Sequence, residues 1–194
     1  MESNLAHQAL LKISKKNDFD FLREYLQESG LIEINLSSLP LVEYLSSVVV
    51  SQQLSTKAAK TIWSRVHPII RNQKSYQSLE SELRSAGLSK SKADYVIGLI
   101  GNPNLFSLKR RNLINLSKIE FENLLISNKG IGPWSVNMAR MFYLGDADVI
   151  PINDLGIKHA HEYLFKNFEM SDKFYEIFSP WRTYLSLFMW KSLS

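Results

Sequence analysis

Apolar residues recur three and four positions apart along almost the whole chain, and that spacing restricts it to helices. Leu5 to Ile13 and Phe19 to Leu26 carry the pattern, and Gly30 ends the second run. Ser37-Ser38-Leu39-Pro40 opens a further helix, with Leu41, Tyr44, Leu45, Val48 and Val49 on one stripe. After the interruption Ser51-Gln52-Gln53-Leu54-Ser55, either Ser55 or Thr56 can cap a run from Lys57 to Val66, which is predicted to stop at Pro68. Ser89 caps a helix through Ile100. Others are predicted from Lys118 to Ser127, from Pro133 to Leu144, from Leu155 to Phe165 behind an Asp154 cap, and from Pro180 to Leu193. Only Asp148-Val149-Ile150-Pro151 looks extended, and Pro151 argues against a central strand. The expected fold class is all-α.

The 194 residues suit one compact domain or two small ones. No apolar run exceeds four residues, too short for a membrane span of about 20. Met1-Glu2-Ser3-Asn4 has neither a basic nor an apolar leader segment, so no secretory signal is expected. Cysteine is absent, which excludes disulfides, thiolate zinc sites, iron–sulfur clusters and cysteine nucleophiles. His159 and His161 would point about 200° apart on a helix, so a shared metal is not expected. Residues 57–129 carry a net charge of +8, against −3 before and −1 after, within a total of +4. A basic middle third is the footprint of a polyanion partner or simply a solvated face, and charge alone does not separate the two.

The segment Asn128-Lys129-Gly130-Ile131-Gly132-Pro133 joins two helical patterns. Its two glycines allow a tight turn with Ile131 pointing inward, and Pro133 suits the first position of the following helix. Backbone amides around Gly130 and Gly132, at the positive end of that helix, suit a phosphate, with Lys129 and Ser135 as flanking donors. A plain helical turn would look the same.

Taken with its surroundings, the turn resembles that of the helix-hairpin-helix DNA glycosylase superfamily, in its alkylated-base (3-methyladenine type) branch. The resemblance rests on Val48 to Ser55 with Lys57-Ala58-Ala59, Leu88 to Ala93, the hairpin, Asp148 to Ile157, and Trp181-Arg182-Thr183-Tyr184 to Trp190, in that order. It implies two helical lobes flanking a cleft. Residues 39–145 would form the middle lobe, with the hairpin at about 118–144, and 1–38 plus 146–194 would form the other. Some relatives carry a β-domain before the helical part, and none is expected here.

The family's single Asp, about twenty residues beyond the hairpin, falls on Asp154. The resemblance implies that its carboxylate faces the sugar of an extruded nucleotide, where it would stabilise oxocarbenium charge or activate water. As a bare N-cap it would contribute about 1 kcal/mol instead, and the two roles are compatible. Bifunctional relatives place lysine directly after the hairpin. Trp134 stands there, so base release without strand cleavage is expected. Trp134 and Trp190 would be the walls of a base pocket, with Met138 one turn after the first, and core packing is the alternative for both indoles. An aromatic face attracts a cationic alkylated purine by about 0.5–2 kcal/mol over a neutral base.

Gln53-Leu54 match the family's wedge loop, with Leu54 the inserted residue or else an ordinary core leucine. Lys57, Lys60, Lys90, Lys92 and Arg182 are candidate phosphate ligands, and Lys109-Arg110-Arg111 is a loop face. The implied function is monofunctional excision of alkylated purines from double-stranded DNA in base excision repair, by an intracellular monomer, cytoplasmic in a bacterium or nuclear in a eukaryote. A non-catalytic DNA-structure binder and a glycosylase for other damaged or mismatched bases are the alternatives.

Overall fold

A computed structural model describes residues 1–72 and 76–193. In chain order the helices are α1 (Glu2–Lys16), α2 (Asp20–Ser29), α3 (Leu41–Ser51), α4 (Thr56–Arg71), α5 (Tyr76–Ser85), α6 (Lys90–Ile100), α7 (Pro103–Phe106), α8 (Arg110–Leu113), α9 (Lys118–Ile126), α10 (Pro133–Ala139), α11 (Leu155–Leu164), α12 (Asp172–Glu176) and α13 (Arg182–Lys191). A π-helical turn, Arg140–Leu144, follows α10 directly. Among the described residues there is no strand, and 148–151 is irregular. The fold is all-α, as the periodicity predicts.

The chain forms two compact units, Met1–Leu36 with Arg140–Ser194, and Ser37–Ala139. The second unit is built on α3. Leu41, Val42, Tyr44, Leu45, Val48, Val49 and Val50 are all buried, so this helix is covered around most of its circumference, by α4, α6, α7 and α10. The Tyr44 hydroxyl donates to the Met138 carbonyl at 2.7 Å and ties α3 to α10. Helix starts follow local chemistry. Ser55 accepts from the Ala58 amide, Ser89 from the Lys92 amide, and Ser117 with Glu120 forms a reciprocal capping box.

Two elements depart from the periodicity. Helix α4 runs through Pro68 to Arg71 rather than stopping before it. Proline deprives the Ser64 carbonyl of its donor, but Ser64 and Pro68 are both exposed, so water can serve that carbonyl and the helix continues. The run from Pro133 to Leu144 changes winding at Arg140, where the Arg140 carbonyl accepts from the Asp146 amide and the guanidinium pairs with the Asp146 carboxylate at 2.6 Å.

The first unit packs α1 and α2 against α11 and α13 around Leu10, Leu22, Leu26, Ile157, Leu185 and Phe188. Phe178 is fully buried and meets Phe19, Phe165 and Phe174 at ring-centroid distances of 5.8, 5.8 and 5.9 Å. Buried His161 lies between the Tyr175 hydroxyl (2.9 Å) and the Phe168 carbonyl (2.8 Å) and belongs to this core, whereas His159 is exposed. Phe178→Ala should lower unfolding free energy by about 3–5 kcal/mol, read by urea denaturation. A loss below about 1 kcal/mol would mean that the aromatic cluster does not carry this unit.

Candidate functional site

In the first unit, Asp154 caps α11, as its place before Leu155 predicts. Its Oδ1 accepts the Ile157 amide at 3.0 Å and the Trp190 indole Nε1–H at 2.8 Å. The carboxylate is therefore oriented from two sides, at the positive end of a ten-residue helix. The segment leading to it is also anchored. The Val149 amide donates to Thr183 Oγ1 at 3.0 Å, Ser186 donates to the Val149 carbonyl at 3.2 Å, and the Asp154 amide closes a turn on Pro151 at 2.8 Å. Both Thr183 and Ser186 belong to α13, the helix that carries Trp190, so one helix sets both the approach to Asp154 and its indole partner.

Trp190 is half-buried and stacks on Phe142 of the π-turn at 6.3 Å and 30°. Its edge occupies the space beside Gly156. A Cβ there would lie 2.8 Å from the indole Cδ1 and 3.0 Å from Asp154 Oδ1. Gly156 falls within the segment Asp148 to Ile157 without a role readable from its neighbours, since the indole above it comes from 34 residues away. Arg182 is held elsewhere. Its Nε and Nη2 donate to the Asp148 carboxylate at 2.5 and 2.7 Å, and this pairing and the charges of Asp146 and Glu176 raise its pKa. Two of its donors toward any phosphate are already engaged.

In the second unit, Gln53 and Leu54 stand in the break between α3 and α4. Gln53 is exposed with φ +56°, and Leu54 is 39% exposed, so it is not a core leucine. Lys57 and Lys129 are exposed. Asn128 shapes the turn at the end of α9, donating to the Leu124 carbonyl at 3.0 Å and accepting from Asn102 at 2.8 Å, while its own carbonyl receives the Ile131 amide.

The two glycines of the turn differ. Gly130 has φ +88°, and a Cβ would sit 2.4 Å from the Tyr95 ring. Gly132 has nothing within 4 Å of such an atom, so its backbone is open to close approach. Ser135 is 1% exposed and its hydroxyl accepts from Gln52 at 3.1 Å, so its side chain is engaged inside the fold rather than offered to a phosphate. Trp134 is half-buried at the second position of α10, and Met138 is 7% exposed. Lys92, a sequence candidate for phosphate, turns its ammonium to the Val50 and Gln52 carbonyls instead. Among the described residues no three His, Asp or Glu side chains gather as metal ligands, and no helix is long and apolar enough to cross a membrane.

No family model matches the sequence. The DNA-3-methyladenine glycosylase 1 of Schizosaccharomyces pombe is 32% identical over 163 residues, which cover 77% of this chain and 71% of that protein. A putative DNA-3-methyladenine glycosylase of Bacillus subtilis is 27% identical over 164 residues, 75% of this chain and 56% of the relative. The solved structure of the S. pombe 3-methyladenine DNA glycosylase in complex with abasic DNA superposes with a TM-score of 0.79 at 25% identity, covering 96% of this chain and 95% of that one. A Bacillus halodurans DNA-3-methyladenine glycosidase gives 0.71 at 27% identity, covering 93% and 86%. The chain belongs to the DNA-3-methyladenine glycosylase family, in the alkylated-base branch of the helix-hairpin-helix glycosylases.

Alanine at position 156 would ordinarily favour a helix over glycine by up to about 1 kcal/mol. The crowding at Trp190 offsets that gain: Gly156→Ala should displace the indole, leave the melting temperature equal or lower, and reduce base release roughly tenfold. Unchanged turnover would show that the indole's position against Asp154 is of no consequence.

Proposed function

We propose that this chain hydrolyses the N-glycosidic bond of 3-methyladenine-type alkylated purines in double-stranded DNA, with Asp154 as the catalytic carboxylate and no cofactor. The observation that carries the proposal is the double restraint on Asp154 Oδ1, by a helix-start amide and an indole N–H. A helix cap alone needs only the first of these. The second fixes the direction of the carboxylate, which a cap does not require but a group facing a developing charge does.

Alkylation at N3 or N7 of a purine leaves the base cationic, so the glycosidic bond is already weakened and no strong general acid is needed. As the bond lengthens, positive charge develops at C1′ and the ring oxygen. A carboxylate held nearby stabilises that charge or takes a proton from the attacking water. Trp134, Trp190 and Met138 are proposed to bind the extruded base, the indoles by attraction between their faces and a cation. Leu54, beside Gln53 in the wedge loop, would fill the gap left in the stack, and Lys57, Lys129 and the amides at Gly130 and Gly132 would hold phosphates. Arg182 would join them only by a donor not engaged with Asp148. No lysine follows the hairpin, so the product is an abasic site in an uncut strand. The reaction belongs to base excision repair, in whichever compartment holds the DNA, bacterial cytoplasm or nucleus, and the enzyme acts as a monomer.

Asp154→Asn retains a good N-cap residue, so the variant should fold as the wild type does. Release of 3-methyladenine and 7-methylguanine from methylated duplex DNA should fall on the order of 10²–10³-fold. Equal release by both proteins would remove the catalytic assignment, and tight DNA binding without release by either would favour a non-catalytic binder. With wild type, strand breaks should appear only after alkali treatment. A nick before alkali would contradict the water mechanism.

A further inference from the structure

A lysine in the first turn of a helix stands against the helix dipole, whose N-terminal end disfavours cations. Lys92 occupies such a position in α6, three residues after the Ser89 cap. Its Nζ donates to the Val50 carbonyl at 2.8 Å and the Gln52 carbonyl at 2.7 Å, at the C-terminal end of α3, which has no basic residue in its own last turn. The ammonium thus completes the end of one helix from the start of another. Burial lowers its pKa from the ordinary lysine value, as expected for an amine that has exchanged water for carbonyls. Gln52 extends the connection, donating through Nε2 to the Gly130 carbonyl at 2.9 Å and the Ser135 hydroxyl at 3.1 Å. Tyr95, one turn after Lys92 on the same face of α6, lies directly against Gly130. Helix α6 therefore holds both the loop at 52–54 and the turn at 130–132, with Gln52 bonded between them.

We propose that Lys92, acting with Gln52, is a positioning residue that fixes where Gln53 and Leu54 stand relative to the hairpin turn, and so governs wedge insertion without touching a phosphate. The proposal rests on the glycosylase reading only for what the wedge does. A lysine that contacts phosphate contributes equally on any duplex and adds about one charge to the salt dependence of binding. A lysine that positions the wedge matters only where a nucleotide leaves the stack.

The test uses the full chain, the variants Lys92→Met and Gln52→Leu, and two duplexes of one sequence, one intact and one carrying a tetrahydrofuran abasic site, titrated over a range of salt. Both variants should lose about tenfold of the preference for the abasic duplex, the effect of removing a charged or buried hydrogen bond. Affinity for the intact duplex and its salt slope should stay as in wild type. The double variant should lose little more than the worse single one, because both act through one connection. A uniform loss on both duplexes with a shallower salt slope would make Lys92 a phosphate contact and overturn the proposal. An unchanged preference, or none in the wild type to lose, would overturn it too. Thermal melting checks that the variants fold, and if Lys92→Met does not, Gln52→Leu decides alone. The readout is binding, so a wild type that releases no methylated base would sink the glycosylase reading while this measurement still stands.

Discussion

The indole-to-carboxylate hydrogen bond between Trp190 and Asp154 is the contact on which the role proposed for that carboxylate depends. It joins the start of α11 to the end of α13, two helices that pack against each other. Much of the local sequence accommodates it. Gly156 leaves room for the indole, Phe142 stacks on it, and the buried Thr183 and Ser186 hydroxyls tether the irregular approach to Asp154. A polar group of this kind is costly to leave unmatched, so each member constrains the placement of the others.

The part of this arrangement that is local was legible in the sequence. Asp154 before Leu155, and Ser89 and Ser55 before their helices, announce caps because a cap needs only a side-chain oxygen and an amide two or three residues on. The all-α class followed from periodicity for the same reason. What was not legible depends on residues far apart in the chain. Nothing near Trp190 signals that its N–H will find position 154, and core packing was an equally good reading of its neighbours. Short helices such as α7, α8 and α12 have four or five residues, too few for a period to show. The continuation of α4 past Pro68 depends on solvent access to one carbonyl, which the sequence does not encode.

Charge is the clearest case of sequence counting that structure refines. The basic middle of the chain includes Lys92, whose ammonium faces backbone carbonyls, and Arg110, which bonds the Ser37 carbonyl. Arg182, in the other unit, is paired with Asp148. Such cations add to a tally but have little left to offer a polyanion, whereas exposed Lys57 and Lys129 retain their full hydration. The number of cations on offer to a polyanion is therefore smaller than the formal charge suggests.

The π-turn at Arg140–Leu144 has an implication for how this region tolerates changes in length. Such a turn accommodates one residue more than regular winding would. Deleting a single residue there would let the helix relax to ordinary pitch. It would also swing the side chains on one side of the deletion by about 100°, carrying the Phe142 ring away from the indole it covers. The surplus residue is in effect a phase adjustment, and a shortened chain could be well folded and yet out of register.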